Sequence, residues 1–352
     1  MINVIHNKLY DKQSIQDIYK LILNQKKTLD CMTTGKLLNC DHAFFKVLQV
    51  DRNMVLELVV SGLPGKLIVK YLCSGKKKYQ NNTQWEAKQW QAVNKALRNS
   101  KAGKTPSLIA FDEDSGILLL EKVEGQSAHE IMKKALLSQV IFAKARQAPL
   151  NFYRLGAMLG LLHNCCSYDT SSPIYYRISA KLSSVPDAAQ GDVVFSEGLS
   201  AFDEHSKPNA EVSWVHGNLR TDNILFTNNN ITLIDMENAG AGDAMEDMGS
   251  LLAFIIMFGR FPFFPKRFLR SVITAILTGY CSAAVAVSER LLAATLGEVL
   301  VVYGRVIDKA SLLPLFTWRC HKRRLRRIVM RLVKQLHNSP KELLRQPRIL
   351  VA

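Results

Sequence analysis

The 352-residue sequence predicts an α+β fold in two lobes, a small sheet-rich N-terminal portion and a larger helical remainder. Three observations carry that expectation. The length exceeds what a single core usually serves, so two are expected. Apolar runs of strand length, separated by turn residues, gather before residue 122. From Ser127 onward helical spacing dominates, and strands segregated from helices argue against alternating βαβ units.

The first element expected is a short helix over 13–26, carried by Ile15, Ile18, Tyr19, Leu21, Ile22 and Leu23 within an N-terminal extension, 1–40. Three strands follow at 43–50, 54–61 and 66–72, joined by turns at Asp51-Arg52-Asn53 and Gly62-Leu63-Pro64-Gly65. A polar loop over 76–83 leads into a helix over 84–97 with Thr83 as its N-cap. Strands at 107–111 and 116–121 flank the turn Asp112-Glu113-Asp114-Ser115 and complete the first lobe, 41–122. In the second lobe, 123–310, a helix over 150–165 places Phe152, Leu155, Met158, Leu159 and Leu162 on one side. Residues 169–211, rich in Ser, Asp and Pro with weak periodicity, read as an irregular insert. Short strands at 224–227 and 231–235 precede helix upon helix over 245–303.

The composition, 48% hydrophobic, is that of a chain able to bury a sizeable core. Its net charge of +16 is uneven: the tail, 311–352, holds eleven Lys or Arg against one acid, Glu342. The rest is only mildly basic and no aromatic platform accompanies the tail, which disfavours nucleic acid as the partner. In the tail, Leu325, Ile328, Val329, Leu332 and Leu336 form one apolar face, and basic residues fill much of the remainder. Two readings fit. The helix docks on the second lobe with a solvated basic side, or residues 319–336 attach to an anionic membrane surface, with Phe316 and Trp318 at the interface. Seven cysteines without metal-ligand spacing indicate reduced thiols. Residues 1–12 lack an apolar signal core, and the uncharged run 271–288 is too polar for a membrane span. The expected location is cytoplasmic, and peripheral on the membrane face if the tail binds there.

The chemistry-bearing stretch is His216-Gly217-Asn218-Leu219-Arg220-Thr221-Asp222-Asn223, followed by Leu233-Ile234-Asp235-Met236-Glu237. Phosphoryl transfer demands mainly positioning and charge neutralisation, and four suitable parts occur in order. Lys70 ends an apolar strand, where a fixed ammonium could reach nucleotide phosphates. Glu86 lies on the next helix, where a carboxylate could hold that lysine. Asn223 and Asp235 offer the oxygen donors that Mg²⁺ prefers. The loop from His216 would place residue 218 near an acceptor hydroxyl.

These blocks resemble the aminoglycoside phosphotransferase/choline kinase family, a branch of the protein-kinase-like fold. Further matches are Trp85-Glu86-Ala87, the hinge-like Leu118–Gly125 run, Leu155-Gly156-Ala157-Met158-Leu159-Gly160-Leu161-Leu162-His163, and Gly242-Asp243 with Glu246-Asp247-Met248. The resemblance implies an ATP- and Mg²⁺-dependent phosphotransferase acting on a hydroxyl of a small molecule or sugar; the basic tail adds lipid-linked and lipopolysaccharide core sugars to the candidates. It implies that Lys70 binds nucleotide phosphates, Glu86 pairs with it, and backbone around Glu121 to Val123 holds adenine. Asn223 and Asp235 would hold Mg²⁺, and Asp247 would brace the catalytic loop of His216. Arg220 would face the transferred phosphate.

Two departures stand out. The turn 50–54 lacks glycines, and Asn218 occupies the place of the Asp that accepts the acceptor's proton. An amide orients a hydroxyl but is no useful base, and such a base is worth ~10²–10⁴-fold in rate. Three explanations are compatible with Asn218: a nucleotide-binding pseudokinase with a regulatory or scaffolding role at a membrane, an enzyme whose base is Asp222, Glu237 or the acceptor itself, or an engineered inactivating change.

Overall fold

The computed structural model describes residues 3–5, 43–50, 53–60, 66–72, 80–97, 103–113, 116–137, 148–165, 177–206, 212–227, 230–259, 261, 264–283, 289–308 and 315–338. The helix expected over 13–26 and the turn at 62–65 lie outside them. The chain forms two compact units, residues 1–95 with 105–124, and residues 96–104 with 125–352.

The first unit is built on a six-stranded sheet in the order β1-β2-β3-β4-β6-β5. Its strands are β1 (Asn3–Ile5), β2 (Ala43–Val50), β3 (Asn53–Val60), β4 (Leu67–Leu72), β5 (Leu108–Asp112) and β6 (Ile117–Glu121). Only β1 runs parallel to its neighbour; the other neighbouring strands of this sheet pair antiparallel. Strand β6 lies between β4 and β5 and buries Ile117, Leu118, Leu119 and Leu120 in succession, so its apolar run does not alternate. Helix α1 (Gln80–Leu97) contributes Glu86, Ala87, Trp90 and Val93, all buried, at spacings that share one face. It begins at Gln80, so Thr83 lies inside it and is not its cap. Gln80, Asn81 and Asn82 include no Gly or Pro, and a helix already propagating extends back through them at little cost.

The second unit is largely helical. Its helices are α2 (Ala128–Leu137), α3 (Ala148–Cys165), α4 (Arg177–Ser183), α5 (Asp187–Gln190), α6 (Val193–His205), α7 (Ala244–Phe258), α8 (Lys266–Ser282), α9 (Arg290–Asp308) and α10 (Leu315–Asn338). Helix α2 starts on a reciprocal capping box: Ser127 Oγ accepts from Glu130 N at 3.1 Å, and Glu130 Oε2 accepts from Ser127 N at 3.2 Å. Helix α7 is buried almost throughout.

Helices α3 and α8 approach backbone to backbone. A Cβ on Gly156 would land on the Ile276 carbonyl, and one on Gly279 on the Tyr153 carbonyl. Small side chains at this crossing are therefore a packing requirement.

The segment expected to be an irregular insert instead holds α4, α5 and α6. Asp192 caps α6, accepting from Val194 N at 3.1 Å and Phe195 N at 3.4 Å. The same carboxylate receives the Tyr303 hydroxyl at 3.1 Å and Lys322 Nζ at 2.8 Å, which ties α6 to α9 and α10. Burial pulls the Asp192 carboxyl upward, but those partners outweigh it and hold it below the ordinary carboxylate range.

Strands β8 (Val212–Val215) and β11 (Gly240–Asp243) pair antiparallel, as do β7 (Gln126–Ser127), β9 (Ile224–Phe226) and β10 (Ile231–Leu233) in the order β10-β9-β7. Helix α10 buries Leu325, Val329, Leu332, Val333 and Leu336 and exposes Arg323, Arg326, Arg327, Arg331 and Lys334. Its apolar face is thus consumed in docking. The side chains of Phe316 and Trp318 lie outside the described residues. Among the described residues, no helix is long and apolar enough to cross a membrane.

Candidate active site

In the first unit, Lys70 sits on β4, in register with Val55 on β3 and Leu118 on β6. Its ammonium lies 3.0 Å from Glu86 Oε2 and 3.1 Å from Oε1, and both residues are buried. Register in the sheet and the burial of one α1 face fix the two ends of this pair. A second buried carboxylate, Glu57 on β3, receives Lys66 at 3.0 Å and Lys122 at 3.1 Å. Hydrogen bonding from Lys66 leads the effects that hold the Glu57 carboxyl below its usual range. Where β6 ends, Glu121 N donates to Ser107 O (3.0 Å) and Lys122 N to Lys66 O (2.9 Å). The Val123 N–H has no partner among the described residues.

In the second unit, the loop after β8 turns at Gly217, whose φ of 72° lies in the left-handed region open to glycine. A Cβ there would land on the Arg177 guanidinium and the Asn238 carbonyl, so conformation and space both demand glycine. Asp247, buried in the first turn of α7, accepts from His216 N at 2.5 Å and Gly217 N at 2.8 Å. Behind it, His163 on α3 approaches Asp247 Oδ2 at 3.4 Å through Nε2 and the Tyr280 hydroxyl at 2.8 Å through Nδ1. A carboxylate can only accept, so Nε2 carries the proton and Tyr280 donates to Nδ1. Burial alone would raise Asp247, but hydrogen bonds from His163 and the His216 N–H outweigh it and hold the carboxyl low. Burial pushes the Tyr280 hydroxyl up, so it stays a donor.

His216 is itself fixed at both ring nitrogens. Nε2 donates to Ile234 O at 2.9 Å, and Nδ1 accepts from Asn218 N at 3.3 Å. Asn223 Nδ2 donates to Asn218 O at 2.9 Å, leaving its Oδ1 as the unengaged end of that amide. Asp235, between β10 and a single 3₁₀ turn (Met236–Asn238), has φ 69° and ψ 67°. It is the one non-glycine residue with positive φ among those described. A β-carbon in that region costs roughly 1–2 kcal/mol, and such strain gathers at functional sites. Arg220 stacks over the Phe254 ring at 4.7 Å and lies 3.8 Å from Asp222. Asp222 in turn lies 3.7 Å from His129 on α2.

The predicted residues thus fall into groups: Lys70 with Glu86, and His216, Asn218 and Asn223 linked to one another in the loop that Asp247 braces; the contacts described for Arg220 and Asp235 join them to neither group. Sequence reasoning assigned no role to Glu57, His129, His163, Arg177 or Glu246. His163 closes a motif-like run and could have been suspected; His129, Arg177 and Glu246 sit far along the chain from the residues they touch, and Glu57 reads as an ordinary polar position on a strand. Glu246 receives Arg177 N at 2.9 Å, and burial raises its carboxyl to about 7.

A buried lysine–carboxylate pair, a loop braced by a buried Asp and a strained Asp ahead of a 3₁₀ turn are the parts of a kinase-like phosphotransferase fold. Residues 76–286 match the phosphotransferase enzyme family, and the chain belongs to that family. Among solved structures, an amicoumacin kinase in complex with AMP-PNP, Ca²⁺ and Ami superposes with a TM-score of 0.57 at 15% identity, over 91% of this chain and 93% of its own. A choline kinase from Cryptosporidium parvum Iowa II gives 0.53 at 16% identity over 92% and 97%. A Plasmodium vivax ethanolamine kinase gives 0.53 at 10% identity over 92% and 90%. At such identities these likenesses establish the fold alone. No curated protein matches the chain.

Proposed function

We propose that the chain transfers the γ-phosphoryl group of ATP, bound with Mg²⁺, to a hydroxyl of a small molecule or sugar. The observation that carries this reading is the buried Lys70–Glu86 pair. Desolvating two charges costs several kcal/mol per ion before their attraction offsets it, so a buried pair contributes little to stability. An ammonium held rigidly for a polyphosphate gives the arrangement a purpose. The Val123 N–H suits an adenine acceptor nitrogen, as the hinge residues Glu121 to Val123 do in the family resemblance. Asn223 Oδ1 and the Asp235 carboxylate are hard oxygen donors, and the Asn223 amide is oriented by its own hydrogen bond, so these residues fit Mg²⁺. When bound, the ion neutralises charge on the β- and γ-phosphates.

The chain's own groups do the rest. His216 and Asp247 set the loop, and Arg220 offers a guanidinium to the charge of the transferred group. The Asn218 amide oxygen accepts from the attacking hydroxyl and orients it. In a loose transition state the attacking hydroxyl oxygen keeps its proton until the bond to phosphorus forms, and the proton can then pass to an oxygen of the transferred phosphoryl group, so transfer proceeds without a base but without the ~10²–10⁴-fold that one adds.

Asn218 also favours a second reading, a nucleotide-binding pseudokinase that signals or scaffolds at a membrane. The exposed Arg323, Arg326, Arg327, Arg331 and Lys334 suit the anionic cytoplasmic face, and a lipid-linked or lipopolysaccharide core sugar acceptor would lie there. Since the apolar face of α10 is buried, such attachment would be electrostatic, and salt would release it. Co-sedimentation with anionic vesicles that charge-neutral Gln replacements at these five positions do not reduce would end that idea.

Thermal shift with Mg-ATP, and ATP turnover over a panel of hydroxyl acceptors, test the main proposal. Wild type should be stabilised by Mg-ATP, Asp235→Ala should lose that shift, and Asn218→Asp should raise turnover by ~10²–10⁴-fold. Absence of any nucleotide shift in wild type would overturn both readings. A shift without turnover, with activity only in Asn218→Asp, would select the pseudokinase.

A further inference from the structure

His205 ends α6 and His337 lies in the last turn of α10, so two helix C-termini converge at one place, with Glu204 beside them. One ligand atom each from Glu204, His205 and His337 lies within 4.8 Å of the other two. The two imidazole centroids are 6.2 Å apart with an interplanar angle of 66°. The rings are therefore neither stacked nor joined by a hydrogen bond. His205 Nε2 is buried and has no hydrogen-bond partner among the described residues. Buried polar atoms are satisfied in the great majority of cases, so an orphaned nitrogen on an imidazole that sits beside a second imidazole and a carboxylate asks for an explanation.

We propose that Glu204, His205 and His337 form a site for a divalent transition-metal ion, zinc above others, that staples α10 to α6. Two imidazole nitrogens and one carboxylate oxygen are a borderline donor set that suits Zn²⁺, whereas Mg²⁺ and Ca²⁺ require mostly oxygen. The partial negative charge at both helix C-termini favours a cation there and offsets the basic residues of α10. Ligand bonds of about 2.0–2.1 Å bring donors to roughly 3.3 Å from one another. Side-chain rotation of the exposed Glu204 and His337 closes that difference on a partly packed His205. Three protein ligands leave a fourth position for water. This site shares no residue with the nucleotide machinery and stands whether or not the chain turns over ATP.

The test uses the full chain, stripped of metal with a chelator. Zinc should raise the melting temperature of wild type in step with the logarithm of its concentration, and Mg²⁺ should not replace it. Single variants His205→Ala, His337→Ala and Glu204→Gln should each weaken the apparent zinc affinity by at least the ~10–100-fold that loss of a supporting group alone costs. His337 is exposed, so His337→Ala should melt with wild type when no zinc is present, which separates lost binding from lost folding. Co²⁺ should give visible d–d absorption with wild type that His337→Ala abolishes. The proposal is overturned if wild type shows neither response. It is equally overturned if both His variants respond undiminished, which would assign the metal to cysteines or to the acidic loop residues.

Discussion

Single residues decide the geometry of the loop after β8. Gly217 combines a left-handed φ with contact against Arg177 and Asn238. Gly217→Ala should cost about 1–3 kcal/mol of stability, read by chemical denaturation, because Arg177 must also be displaced. Glu246 gives a prediction with a sign. Its carboxyl is raised from 4.5 to about 7, first by burial and then by Asp243, against the opposing Arg177 and Ile178 N–H bonds. The folded state therefore holds the proton more tightly than the unfolded state. Stability from this group is fully present below about 4.5 and is lost as pH rises through about 7. Glu246→Gln cannot ionise, so its melting temperature should fall less than that of wild type between pH 5 and 8, on the order of that window. An equal fall in both proteins would assign the loss to another group.

At the scale of elements, the α3–α8 crossing depends on Gly156 and Gly279. Gly279→Val should cost at least about 1–3 kcal/mol, because a backbone carbonyl has no rotamer with which to escape; a melting temperature unchanged from wild type would disprove the contact. The same scale shows what could be read in the chain. Strands β2 to β6 and the loops around His216 and Asp235 were legible, because local apolar runs mark the former and fixed chemical spacing marks the latter. The start of α1 was misread because Thr83 looks like a cap and the upstream Asn residues look like loop. Helices α4 to α6 were hidden because their stabilising partners are distant: Glu246 accepts from the first residue of α4, while Tyr303 and Lys322 reach Asp192. Strand β11 reads Gly-Ala-Gly-Asp, with no β-propensity of its own, and is a strand because β8 pairs with it. The tail's apolar stripe was legible, and its burial on α6 and α9 was one of two open outcomes.

At the scale of the whole molecule, stability is distributed unevenly, and loops commonly sit at its weak end. The loop after β8 is an exception with a physical cause. Its first two amides donate to Asp247, which is held by His163, which is held by Tyr280. His163 and Tyr280 belong to the two helices whose backbones touch at Gly156 and Gly279. The amides of His216 and Gly217 are freed for exchange when Asp247 releases them, and Asp247 is tied through His163 and Tyr280 to that seam. In native-state deuterium exchange they should therefore be retained as long as the amides of α3 and α8. The amide of Arg220, two residues past Asn218, should exchange orders of magnitude sooner. A reaction loop in this chain would keep time with its most slowly opening core.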